Sequence, residues 1–141
     1  MLRTGLMLWM LLALCLQGRA DVAVIVSNHS SLGNLTREQV LDIYTGRLLT
    51  LPSNEIPLPM DLRGTPLARQ YFYQDLTGKS LPQINSYWAR LLFSGQATPP
   101  RLLPDAHAMI KAVRENSAAL GFIDEHDISS GVKVLFTLPA P

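Results

Sequence analysis

Val22-Ala23-Val24-Ile25-Val26 is a continuous apolar run rich in β-branched residues, bounded by Asp21 and Ser27. A short run of this kind with polar ends predicts a strand buried on both faces. Ser27 to Asn34 is polar, ends in Gly33-Asn34 and predicts a loop. Thr36-Arg37-Glu38-Gln39 has the spacing of a capping box, in which a threonine hydroxyl and a glutamine side chain satisfy each other's backbone amides. Val40, Ile43 and Tyr44 follow at helical spacing, and Gly46 suits the helix end. Leu48 to Pro59 is broken by Pro52, Pro57 and Pro59. That pattern predicts a loop leading into an irregular or edge strand near Ile56 to Met60.

Thr65-Pro66 predicts a second helix, with Thr65 as its N-cap and Pro66 at the first helical position. Leu67, Tyr71, Phe72 and Leu76 form its apolar face, and Gly78 stops it. Leu81 to Leu92 predicts a third helix, with Ile84, Tyr87, Trp88, Leu91 and Leu92 on one side. Gly95 to Pro104 is a proline-rich loop. Asp105 caps a fourth helix reaching Glu115, with Ala106, Met109, Ile110 and Val113 inward. Ala118 to Ile123 and Val132 to Leu138 predict two more strands. Strands separated by helices of this length predict an α/β layer with mostly parallel pairing.

The N-terminus has a different pattern. Met1-Leu2-Arg3 is a charged start, Leu6 to Leu16 is apolar, and Gly18-Arg19-Ala20 places small residues at the −3 and −1 positions of a cut after Ala20. This predicts a secretory signal peptide over residues 1–20. The apolar run is shorter than the roughly 20 residues a membrane span requires. Cys15 admits lipidation as an alternative, although Leu14 stands where a lipidation motif has a small residue. Cleavage removes Arg3, Arg19 and Cys15, leaving ten basic residues against eleven acidic. The remaining 21–141 segment has no cysteine, which excludes disulfides, thiolate nucleophiles and cysteine metal sites. A periplasmic or secreted location follows, with no stable membrane span after cleavage.

Composition excludes other classes. The chain has 141 residues, 48% hydrophobic, 16% charged, with a formal net charge of +1. That balance fits one domain with a real core and offers no basic arm for nucleic acid. His29, His107 and His126 are far apart in sequence, and no nucleophile elbow or His-x-x-x-His pair is present. No catalytic residue, metal or cofactor is therefore expected, and the chain is read as a non-enzyme. Asp124-Glu125-His126-Asp127 is the densest acidic cluster and is read as a solvated turn. Tyr71, Phe72, Tyr73, Tyr87, Trp88 and Phe93 are read mainly as core between helices.

The most informative chemistry is Asp61-Leu62-Arg63-Gly64-Thr65-Pro66, where a strand ends, a glycine turns and a helix begins. Helix N-termini carry unpaired amides and partial positive charge, so they receive anions. Gly64 permits close approach, the Thr65 hydroxyl can donate, and Arg63 offers a fork suited to phosphate or sulfate. The same residues also fit a plain cap, with Asp61 paired to Arg63.

The order of segments resembles a known family. Val22–Val26 followed by Leu35-Thr36-Arg37-Glu38-Gln39-Val40-Leu41-Asp42-Ile43-Tyr44-Thr45-Gly46-Arg47 resembles the L-T-x-x-Q-L-x-x-I-F-x-G-x segment of PstS-like phosphate-binding proteins, of the type 2 periplasmic binding protein superfamily. Pro59 to Thr65 followed by Tyr71-Phe72 resembles their R-x-x-G-S-G-T … F segment. Ala118-Ala119-Leu120-Gly121-Phe122-Ile123 is similar to their G-A-I-G-Y-V strand. The resemblance implies phosphate held between two α/β lobes, with this chain supplying one lobe over residues 21–141. It implies a central, mostly parallel sheet flanked by helices and an anion site at Gly64 and Thr65, to which Arg63 would add the charge. Arg63 stands where the family has serine, and Asp61 stands near the family's arginine. The second wall of a cleft would come from a homodimer or from another protein. The alternative is a lobe without ligand that docks to an envelope or membrane protein.

Overall fold

The computed structural model describes residues 19–141. The expected leader lies outside the described residues except for its last two positions, as does Cys15. No helix among the described residues is long and apolar enough to cross a membrane.

Five strands and four α-helices alternate along these residues: β1 (Val22–Ser27), α1 (Arg37–Tyr44), β2 (Leu58–Leu62), α2 (Leu67–Thr77), α3 (Leu81–Phe93), β3 (Arg101–Leu103), α4 (Ala106–Glu115), β4 (Ala119–Asp124) and β5 (Val132–Leu138). A short 3-10 turn, Glu125–Asp127, follows β4. The strands form one sheet in the order β3-β2-β4-β1-β5. β2 pairs in parallel with β3 and β4, whereas β1 is antiparallel to both β4 and β5. Four strands therefore point one way, and β1 runs against them from the middle of the sheet. Its six residues are all buried, as the continuous apolar run requires.

Side chains alternate across β4, so its two faces meet different helices. Gly121 faces α4, where Met109 and Val113 press on it. Phe122 faces the other side and stacks on Phe72 of α2, with ring centroids 3.9 Å apart. Tyr44 of α1 meets the same Phe72 edge-on at 4.7 Å. Its hydroxyl donates to the Met60 and Leu120 carbonyls at 2.7 and 3.1 Å, joining α1 to β2 and β4. The helices thus cover both faces of the sheet, and the core lies in two layers.

The Thr36–Gln39 capping box forms as expected, and Ser80–Gln83 makes a second one at the start of α3. Four expectations need correction. β2 lies two residues later than Ile56–Met60, and β3 forms inside the stretch read as a proline-rich loop. The buried stripe of α2 is Arg69, Phe72, Tyr73 and Leu76, while Leu67 is 61% exposed. Leu92 and Phe93 also face outward rather than into the core, Phe93 at 97% exposure.

Candidate functional site

β2 delivers Asp61 to the sheet end, and the chain then turns through Arg63, Gly64 and Thr65 into α2. Leu62 closes the strand, and the Arg63 amide extends the ladder by donating to the Leu103 carbonyl at 2.8 Å. Arg63, Gly64, Thr65 and Pro66 are all exposed. Gly64 adopts a left-handed φ of 79°, with open space where a Cβ would stand. Glycine takes that conformation without steric cost, so this turn favours it.

Thr65 does not cap the helix. Pro66 is the N-cap, with φ −62° and ψ 153°, and no side chain bonds the first-turn amides. Residues preceding proline are pushed toward extended backbone, which keeps Thr65 one place outside the helix. The consequence is a helix N-terminus without a side-chain cap.

The carbonyls of Gly64, Thr65 and Pro66 are occupied. Arg69 Nη1 donates to the Gly64 carbonyl at 2.9 Å, and Gln70 Nε2 donates to the Thr65 carbonyl at 2.7 Å. The Gln70 amide donates to the Pro66 carbonyl at 3.1 Å. Among the described residues no acceptor takes the amides of Gly64, Thr65, Leu67, Ala68 or Arg69. A run of tied carbonyls and free amides is electropositive, and the helix macrodipole adds to it.

Beneath the turn lies a polar cluster absent from the sequence reading. Arg69 Nε and Nη2 grip the two Asp61 carboxylate oxygens at 3.0 Å each. Tyr73 donates to Asp61 Oδ2 at 2.9 Å, and the Leu62 amide donates to Oδ1 at 2.7 Å. Asp61 is 3% exposed and Arg69 7%. Asp61 therefore pairs with Arg69 and not with Arg63, because Arg63 has left the strand and faces solvent. Burial, and then the Asp61 carboxylate, push the Tyr73 phenol well above the usual tyrosine range, so it stays a donor. The signal was available: Arg69 heads the stripe that Phe72, Tyr73 and Leu76 continue at helical spacing.

Other candidates separate. His29 lies in an exposed turn, His107 on the outer side of α4, and His126 contacts only Asp124, at 3.0 Å. Asp124 ends β4 and caps the surface 3-10 turn Glu125–Asp127. Among the described residues no group of three or more His, Cys, Asp or Glu side chains gathers for a metal.

A second feature is an apolar groove of about 720 Å3 between the α1–β2 connection and the end of α3. Leu48, Leu49, Ile56, Leu58, Trp88 and Leu92 are among its walls.

No protein family and no curated protein sequence matches the chain. Solved structures do. An ABC-type phosphate transport receptor from Vibrio cholerae superposes on 82% of this chain, with TM-score 0.63 and 20% identity. A Clostridium perfringens protein proposed as a phosphate ABC transporter substrate-binding protein, solved with bound phosphate, covers 83%, with TM-score 0.63 and 16% identity. A protein from Planctomyces limnophilus, proposed to bind phosphate, covers 82%, with TM-score 0.58 and 11% identity. The chain shares its fold with phosphate-transport receptors. It spans only 45%, 44% and 40% of those three chains, the extent of a single lobe. At these identities the likeness establishes the α/β lobe and leaves its ligand to chemistry.

Proposed function

We propose that the chain is a secreted oxyanion-binding lobe that takes phosphate at Arg63, Gly64 and Thr65 and the first turn of α2, in phosphate uptake or sensing. One observation carries the reading: the Gly64 and Thr65 carbonyls are tied down while the Gly64, Thr65 and first-turn amides are left without acceptors. Phosphate oxygens are acceptors that suit such a set. The Arg63 guanidinium adds a flexible positive charge, and the Thr65 hydroxyl adds a donor. The phosphate-transport and phosphate-binding proteins that share the fold support the choice of anion. The role is binding without catalysis. The leader over residues 1–20 would carry the chain to a periplasmic or extracellular compartment.

The site is exposed, so screening at physiological salt weakens every contact. Affinity in the millimolar class is expected, corresponding to about 4 kcal/mol. A second wall, from a second copy or an envelope protein, would raise it. Calorimetric titration with phosphate at low ionic strength, with sulfate as competitor, tests the reading. Saturable binding is expected, weakened roughly fivefold by Arg63→Ala, the equivalent of about 1 kcal/mol. Absence of saturable heat, or binding indifferent to Arg63→Ala and Thr65→Ala, contradicts the reading.

The apolar groove favours a second one, a lobe that docks to an envelope protein. Exposed apolar patches of this kind mark interaction sites. Under that reading Leu92→Asp abolishes association with the partner and leaves the turn at Gly64 unaffected.

A further inference from the structure

We infer that Asp61 and Arg69 are positioning residues for the anion-binding turn, and that Arg69 aims the Thr65 amide at the ligand. The inference rests on the phosphate reading above.

A buried ion pair is weak grounds for stability, because desolvation offsets most of the attraction and an apolar pair of the same volume often serves as well. The geometry of this pair does something an apolar pair cannot. The guanidinium is planar and carries five donors in a fixed fork. Nε and Nη2, on one edge, hold the two Asp61 oxygens at 3.0 Å each, and Nη1 holds the Gly64 carbonyl at 2.9 Å. Asp61 is itself immobilised by the Leu62 amide and the Tyr73 hydroxyl. One rigid plane thus ties the end of β2 to the turn.

The next step follows from the peptide unit. In a trans peptide the carbonyl and the following N–H point in opposite directions within one plane. No peptide in the described chain is cis. Drawing the Gly64 carbonyl inward to Arg69 therefore turns the Thr65 N–H outward, to the side where Arg63 and Thr65 are exposed. The Arg69 guanidinium does not reach the ligand, since its charge is matched by Asp61 and it is buried.

Two variants separate positioning from plain structure. Arg69→Lys keeps a cation beside Asp61, but a single ammonium cannot hold a carboxylate fork and a carbonyl in one plane. Tyr73→Phe removes a hydrogen bond from Asp61 and leaves the Arg69–Gly64 contact in place. Phosphate affinity and thermal midpoint are measured on the full chain for both. Arg69→Lys is expected to lose about tenfold in affinity, the scale of one charge-assisted hydrogen bond. It also loses the phosphate-induced shift of the Thr65 amide in NMR spectra. Tyr73→Phe is expected to lower the midpoint and keep affinity within about twofold.

Affinity losses that track the midpoints in both variants overturn the inference. So does an Arg69→Lys chain that binds as the parent does, or one that fails to fold, which assigns the pair to the core alone. If the parent chain binds no phosphate, the underlying reading fails, and a parent that binds with Arg69→Lys unchanged overturns only the positioning role.

Discussion

Asp61 is a charge held in the core by three neighbours, and its removal has a definite cost. Asp61→Ala leaves the Arg69 guanidinium buried without a counterion, which is expected to lower stability by about 3–5 kcal/mol in denaturant unfolding. The tyrosines around it give a pH dependence. Burial, and then the Asp61 carboxylate, raise the Tyr44 and Tyr73 phenols above the usual value of 10.0. The unfolded chain releases these protons near that value, while the folded chain retains them. Stability contributed by the neutral phenols is therefore present below about pH 10 and declines above it. Urea midpoints between about pH 9 and 11 are expected to fall, and to fall less steeply in Tyr73→Phe. Sequence placed the strand-to-helix turn at Arg63-Gly64-Thr65, where the structure has it, but offered Arg63 rather than Arg69 as the partner of Asp61. Strand neighbours are easy to pair on paper. The partner lies on the facing side of α2, and only the packing of helix against sheet brings Arg69 to the strand end.

At the scale of elements, local signals and long-range pairing separate cleanly. Thr36 and Gln39 need only each other to begin α1, and the pattern was legible for that reason. Thr36→Ala is expected to cost about 1 kcal/mol. β1 was legible because a fully buried strand leaves a continuous apolar run. β3 was not, because its three residues carry no pattern of their own and become a strand only by pairing with Met60–Leu62. The antiparallel sense of β1 is likewise a property of the assembled sheet. Gly121 marks where α4 comes closest to β4. A Cβ there meets Met109 Sδ at 2.5 Å and Val113 Cγ2 at 3.1 Å. Gly121→Val is expected to destabilise by about 1–3 kcal/mol, read from the thermal midpoint.

For the whole molecule, one lobe of a receptor-like fold presents the Arg63-Gly64-Thr65 turn to open solvent. The fold was legible as an ordered set of motifs, and structural likeness over 82% of the chain supports that order at low identity. The chemistry of the turn was half legible: glycine, threonine and arginine were visible, while the tied carbonyls and the buried pair that holds them were not. Those depend on Arg69 and Gln70 folding back over their own helix start. On the proposed reading, phosphate binds the free amides of this turn. An NMR titration of the isotopically labelled chain with phosphate tests it most directly. Saturable shifts confined to the amides of Gly64, Thr65, Leu67, Ala68 and Arg69 are the expected result. Shifts absent from those residues, or centred on the groove at Leu49, Ile56 and Leu92, would contradict it.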